Sequence, residues 1–143
     1  MEKKTSKLKN KTIIVGCGRL GAEIACKDSS HGKNVLVIDN DSSAFDKLSE
    51  SFSGYTVQGD VTDLSVLEDA YIASAKEIVI TTGDDNVNLF IAHVAREIYN
   101  VPNIYIRLDD PALEALLRGM NIDIISPFEL SIDKFSLMRG GKK

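Results

Sequence analysis

The apolar run Thr12-Ile13-Ile14-Val15 leads directly into Gly16-Cys17-Gly18-Arg19-Leu20-Gly21, and Val35-Leu36-Val37-Ile38 leads into Asp39. This is a G-x-G-x-x-G loop with its context intact: strand, glycine turn, helix, second strand, acid. The first glycine permits a tight turn, the second lets backbone approach a phosphate, and the third lets the helix pack against the strand. The free N–H groups and positive dipole end of that helix favour an anion. Asp39 lies eighteen residues beyond Gly21, close to the usual offset for an acid that accepts from ribose hydroxyls. A chain that opens this way is committed to a parallel strand pair with a helical crossover.

The rest of the sequence continues the alternation. Strands are expected at Thr12–Val15, Asn34–Ile38, Tyr55–Gln58, Glu77–Thr81, Asn103–Arg107 and Ile122–Ile125, most of them short, β-branched and apolar runs that suit a parallel sheet covered on both faces. Helices are expected over Arg19–His31, Ser42–Phe52, Asp63–Tyr71 and Asp85–Tyr99. Another follows Asp110-Pro111, with an acid at its cap, proline in its first turn and Gly119 near its stop. A last amphipathic stretch, Phe128–Met138, comes after Pro127. Right-handed crossovers make this a doubly wound, three-layer α/β fold of the Rossmann type, with strand order 3-2-1-4-5-6.

At 143 residues, 43% hydrophobic and 27% charged, the chain fits one domain with an ordinary core. No apolar run reaches the ~20 residues of a membrane span, so direct membrane insertion is not expected. Cys17 and Cys26 form no disulfide framework, which points to a reducing compartment. The net charge of −4 is unevenly spread: residues 1–11 hold five lysines and one glutamate, and the acid excess lies beyond them. An acidic body is a poor match for nucleic acid. The expected division is a basic leader, residues 1–10, and a nucleotide-binding domain, residues 11–143, with no second domain after it.

Ligands of such sheets bind beyond the carboxyl ends of the strands. Those ends carry the glycine loop, Asp39-Asn40-Asp41, Gly59-Asp60-Val61-Thr62-Asp63 and Thr81-Thr82-Gly83-Asp84-Asp85-Asn86. Asp39 reads as a ribose acceptor that repels a 2′-phosphate, or else as a plain surface acid. Asp60 reads as an acceptor for an adenine amino group with the Val61 N–H beside the ring, or as a turn or cap residue. Arg19 is placed for a terminal phosphate, including one held by a neighbouring subunit, or for solvent alone. Cys17 is either a thiol activated by the helix end or a small residue filling a tight turn. His31 reads as a helix C-terminal residue and His93 as structural. Phe128, Ile132 and Phe135 share helical spacing and serve either an interface or packing back onto the sheet.

Further segments coincide with one family. The chain resembles the KTN domain, also called the RCK N-terminal or TrkA-N domain, from about Lys11 to Phe128. The resemblance is carried by the glycine loop, Asp39, Gly59-Asp60-Val61-Thr62-Asp63, Thr82-Gly83-Asp84-Asp85-Asn86-Val87-Asn88, Ile106-Arg107 and the segment Leu117 to Pro127. It implies a cytosolic regulatory subunit of a Trk or Ktr potassium uptake system, not an enzyme, peripheral at the inner face of the membrane. The implied cofactor is an adenine nucleotide, NAD(H), ATP, ADP or AMP. The implied partners are a potassium-translocating membrane subunit and copies of the chain in a homodimer or larger ring. The implied binding set is Gly16, Cys17, Gly18, Arg19, Leu20, Gly21, Asp39, Asn40, Asp60, Val61, Thr81, Thr82, Gly83, Asn86 and Arg107. Two positions depart from the family pattern: Asn86 stands for a usual glutamate and Val61 for a usual alanine. A C-terminal regulatory domain found in many relatives is missing, which implies a short, single-domain member. The alternative from another class is the cofactor domain of an NAD-dependent oxidoreductase, which needs a substrate pocket and a proton donor beside the nicotinamide.

Overall fold

The computed structural model describes residues 11–141. The basic leader, residues 1–10, lies outside the described residues. Six parallel strands, β1 (Thr12–Val15), β2 (Val35–Asp39), β3 (Tyr55–Gln58), β4 (Glu77–Ile80), β5 (Asn103–Arg107) and β6 (Asp123–Ile125), form one sheet in the order β3-β2-β1-β4-β5-β6. Every neighbouring pair is parallel, with Ile14 opposite Val37 on one side and Val79 on the other. All four residues of β1 are buried, as expected of the central strand of a sheet covered on both faces.

One face of the sheet carries the larger core. Ile13, Val15, Ile38, Ile78, Ile80, Ile104 and Ile106 pack there against α2 (Leu64–Asp69) and α3 (Asp85–His93). On the other face Ile14, Val35, Val37 and Val79 pack against α1 (Arg19–Ser30) and a 3₁₀ helix, Ser42–Lys47. α3 ends in a π-helical turn, Val94–Ile98, whose wider bond runs from the Tyr99 N–H to the Val94 carbonyl at 3.3 Å. From that turn the Arg96 guanidinium donates to the carbonyls of Met120, Val101 and Asn121 at 3.0, 2.9 and 3.1 Å. These bonds tie the approach to β6 onto the body of the sheet.

The helical expectations fail in two places. Ser42–Phe52 is a 3₁₀ helix only as far as Lys47. Its serines bond locally: the Ser43 N–H and hydroxyl both donate to Asp41, and Ser49 and Ser51 pair through their hydroxyls. The segment after Asp110 is likewise a 3₁₀ helix, Pro111–Leu117, closed by i→i+3 bonds such as Leu113 N–H to Asp110 carbonyl at 3.1 Å. The final helix, α4 (Pro127–Gly140), forms as expected, yet buries none of its residues. Phe128, Ile132 and Phe135 are 55, 49 and 48% exposed, so packing back onto the sheet is not the arrangement adopted. On the sheet face shared with α1, Tyr105 and Ile125 remain half-buried.

Candidate functional site

A cleft of about 530 Å³ opens at the carboxyl edge of the sheet, over the switch between β1 and β4. Its floor is the glycine loop. Gly16 adopts φ +98°, a left-handed conformation that favours glycine, and a Cβ on it would lie 2.9 Å from the Thr82 nitrogen. At Gly21 a Cβ would lie 2.0 Å from the Gly16 carbonyl oxygen, so α1 can meet the loop only without a side chain there. Gly18 is different, because beyond its own chain neighbours no protein atom lies within 4 Å of where its Cβ would be. The backbone is bared at the place where a phosphate would approach.

The helix that starts there has no side-chain cap. Asp41, Asp63, Asp84, Asp110 and Ser126 each accept an N–H at the start of their own helical segment. Gly18 caps α1 without one, and no acid lies in its first turn. The first amides of a twelve-residue helix are thus left to an external acceptor, and its dipole favours an anion. Both features fit the phosphate of a nucleotide.

One wall of the cleft comes from the end of β2. Asp39 Oδ2 accepts the Cys17 N–H at 2.8 Å and Oδ1 accepts the Asp41 N–H at 2.9 Å. The carboxylate therefore shapes the glycine loop and still fronts the cleft beside Asn40, Asp41, Ala44 and Lys47. Cys17 is fully buried. Burial pushes its thiol above the usual range, and the Asp39 carboxylate adds to the rise. Its role is to fill a tight turn; an activated thiol would need the opposite shift.

The end of β3 contributes Asp60, Val61 and Thr62. Asp60 Oδ1 accepts the Thr62 N–H at 2.9 Å and its hydroxyl at 2.7 Å, and these bonds hold the carboxyl below its ordinary value. Turn formation and a place on the cleft are combined in one residue.

The far wall is Thr81, Thr82, Gly83, Asp84, Val87 and Arg107. Thr81 ties β4 to the loop through its hydroxyl, 3.1 Å from both the Val15 and Gly16 carbonyls. Asn88, fully buried, holds the wall together. Its Nδ2 donates to the carbonyls of Thr82 and Arg107 at 3.0 Å each, while its Oδ1 accepts the Thr82 N–H at 3.2 Å and the Thr82 hydroxyl. Asp85 clamps the loop after β5 by accepting the N–H groups of Asp109 and Asp110 at 2.9 Å each. The Arg107 Nε lies 2.9 Å from Asp109 Oδ1.

The TrkA-N domain model matches residues 12–127, from the first residue of β1 to the first of α4. The chain belongs to the TrkA-N domain family. The Trk system potassium uptake protein TrkA of Streptomyces coelicolor is 33% identical over 122 residues, 85% of this chain and 55% of that protein. The chain thus spans about half the length of the curated relatives it matches. The crystal structure of the TrkA-N domain of the inner membrane protein ybaL from Escherichia coli superimposes with a TM-score of 0.77 at 22% identity, covering 91% of this chain and 96% of that one. The GsuK channel bound to NAD superimposes with a TM-score of 0.69 at 20% identity, covering 83% of this chain and 21% of that one. At such identities the two structures speak for a common fold.

Within this TrkA-N domain, most residues singled out from sequence meet around one cleft: Gly16, Cys17, Gly18, Asp39, Asn40, Asp60, Val61, Thr81, Thr82, Gly83 and Arg107 all line it. Arg19, Leu20, Gly21 and Asn86 are not among its lining residues. Gly21 serves helix packing and Leu20 is half-buried, whereas Arg19 and Asn86 are exposed outside the lining. His31 caps the carboxyl end of α1, as expected, and His93 is exposed on α3. Sequence reasoning missed Asp41, Ala44, Lys47, Thr62, Asp84 and Val87. Asp41, Thr62 and Asp84 lie within strand-end segments already singled out, and Val87 lies in a segment that carries the family resemblance. Nothing in the pattern flagged Lys47, which lines the cleft from the end of the 3₁₀ helix after β2. Among the described residues no helix is long and apolar enough to cross a membrane.

Proposed function

We propose that this TrkA-N chain is a regulatory nucleotide-binding module of a potassium uptake system, taking NAD(H), ATP, ADP or AMP in the β1/β4 cleft. The observation that carries the reading is the uncapped start of α1 beneath the open Gly18 backbone, with the Asp39 carboxylate beside it. In this reading the loop from Gly16 to Gly21 cradles phosphate, Asp39 accepts from ribose hydroxyls, and Asp60 with Val61 meets adenine. The names of relatives support the biological setting: one is a potassium uptake protein, and a structural neighbour is a channel bound to NAD. The module is cytoplasmic, carried to the inner face of the membrane by a potassium-translocating subunit, and residues 11–143 form its domain.

Regulation needs a surface that changes with the ligand. Arg107, on the cleft, pairs in register with Ile125 on β6, and the next residue, Ser126, caps α4. A nucleotide that moves Arg107 therefore acts two residues from the start of the exposed helix. In this reading α4 meets a second copy of the chain in a homodimer or larger ring, and Arg19 reaches a phosphate held by that copy. The module acts by binding, without chemistry on the nucleotide.

Calorimetry with NADH, ATP, ADP, AMP and NADPH tests the binding reading. NADH is expected to bind and NADPH to bind far more weakly, because its 2′-phosphate would face Asp39. Asp39→Ala is expected to cost about 1–3 kcal/mol of binding, the scale of a lost charge-assisted hydrogen bond. Equal affinity for NADH and NADPH would remove the role assigned to Asp39. Nicotinamide oxidation above background with simple alcohols or hydroxy acids, abolished by a cleft substitution, would restore the oxidoreductase alternative.

A further inference from the structure

The segment from Gly119 to Gly141 is joined to the domain more loosely than the rest. Leu117 is the last apolar side chain buried before it, and beyond Leu117 only Ser126 is buried. Met120, Ile122 and Ile124 reach the core in part. β6 is a three-residue edge strand that pairs with β5 alone. The turn into it holds two left-handed residues, Gly119 at φ 79° and Asn121 at φ 56°. A hollow of about 340 Å³ lies against this turn, bounded by Leu117, Gly119, Asn121 and Ile122. Across the joint, Glu129 of α4 neighbours Glu114 of the preceding 3₁₀ helix, and burial together with that neighbour raises the Glu114 carboxyl above its ordinary value. The two acids resist closure wherever both are ionised. A segment with so few buried apolar contacts belongs to the low-stability end of a domain.

Three hydrogen bonds act against that looseness, and all come from one side chain. Arg96, in the π-helical turn, donates from Nε to Met120, from Nη1 to Val101 and from Nη2 to Asn121. Val101 is buried in the body of the domain, so its carbonyl anchors the guanidinium there. The other two acceptors belong to the turn itself. We propose that β6 and α4 form one movable arm, hinged at Gly119–Asn121, and that Arg96 is the lock on that hinge. While the guanidinium holds the Met120 and Asn121 carbonyls, the peptide planes of the turn cannot rotate, and β6 meets β5 at a fixed angle. Once the lock is released, a few backbone dihedrals absorb the rotation, β6 parts from β5, and α4 moves with it. The lock lies where the chain enters β6, at the edge of the sheet opposite the cleft. It governs how α4 is presented from a place of its own, whether or not the cleft takes a nucleotide.

Amide hydrogen exchange of the full chain in dilute solution, resolved by residue with NMR, tests the arm. The Leu108 N–H is fully buried and donates to the Ile125 carbonyl at 3.1 Å, so it exchanges when β6 leaves β5. The Gly16 and Thr81 amides, bonded to Ile38 and Val15 at 2.8 Å each, stand for the central strands. Leu108 is expected to exchange at least about tenfold faster than either, because a local opening suffices. Arg96→Lys keeps the charge but replaces the planar fork with a point donor. It is expected to speed Leu108 about tenfold further, the scale of one or two lost charge-assisted bonds, and to move Gly16 and Thr81 less than about twofold. Gly119→Ala has open space for its methyl group but strains a left-handed residue. Without touching Arg96, it is expected to speed Leu108 several-fold. Leu108 exchanging in step with Gly16 and Thr81 in the unaltered chain overturns the arm. Equal acceleration of all three amides by either variant, or silence of both variants at Leu108, overturns the hinge and its lock.

Discussion

Among the helices that leave the carboxyl edge of this sheet, α1 and α4 are each unfinished in a different respect. α1 follows β1 and packs well, burying Gly21, Ala22 and Ala25 against the sheet, but its first amides have no side-chain cap. α4 follows β6 and begins with every local signal satisfied. Ser126 accepts the Glu129 N–H at 3.2 Å, proline stands in its first turn and Glu129 complements its dipole. Yet none of its side chains is buried. One helix lacks polar partners at its end and the other lacks apolar partners along its length. A small anion can complete the first, whereas only a large apolar surface can complete the second. On the proposed function, the contrast separates a ligand site from a protein-facing surface within one domain.

The sharpest way to break this contrast lies in the glycine loop. Gly21→Ala is expected to destabilise the fold by about 3 kcal/mol or more, the upper range for forcing atoms into packed space, because its Cβ would sit 2.0 Å from the Gly16 carbonyl. Thermal denaturation checks this. Gly18→Ala, with open space at the same loop, is expected to leave the melting temperature nearly unchanged and weaken nucleotide binding at least about tenfold, since its methyl group occupies the phosphate approach. Equal loss of stability in both variants would mean that α1 has no vacancy reserved for a ligand.

Smaller effects sharpen the other half. Ser126→Ala is expected to cost about 1 kcal/mol in chemical denaturation, the usual value of a lost cap. Changing Phe128, Ile132 and Phe135 together to serine is expected to move the stability of the isolated protomer by less than about 0.5 kcal/mol, as for surface positions. The same variant is expected to lower the assembly state in light scattering. A large loss of protomer stability, with no change in assembly, would show that α4 is completed by its own chain.

The strands were legible as short runs rich in β-branched and aromatic residues between turn signals, although only β1 among the three that follow is buried throughout. Thr12–Val15, Tyr55–Gln58 and Asn103–Arg107 have the bounds that their sequence indicates. The two 3₁₀ segments were not. Phe45, Leu48 and Phe52 keep a spacing that an α-helix would also use, and all three are half-buried against the core under α1. In Ser42–Phe52 the serines bond locally, to Asp41 and to each other, which apolar spacing does not register. The site shows the same division. Residues just past strand ends, such as Asp39 and Asp60, are placed by topology, so the sequence locates them. Lys47 comes from the 3₁₀ helix and depends on its path. Arg19 lies inside the motif, but it is exposed and absent from the cleft lining, because consecutive residues on a helix face different directions.

The doubly bonded Asp39 has a consequence for timing. Since its carboxylate already holds the Cys17 and Asp41 amides, the loop has its shape before a nucleotide arrives. Little ordering entropy is charged to the encounter, and capture is not slowed by a refolding step. Differences between nucleotides then appear chiefly in how long each one stays. On the proposed function, a module built this way would follow a change in the nucleotide pool as fast as the departing ligand leaves.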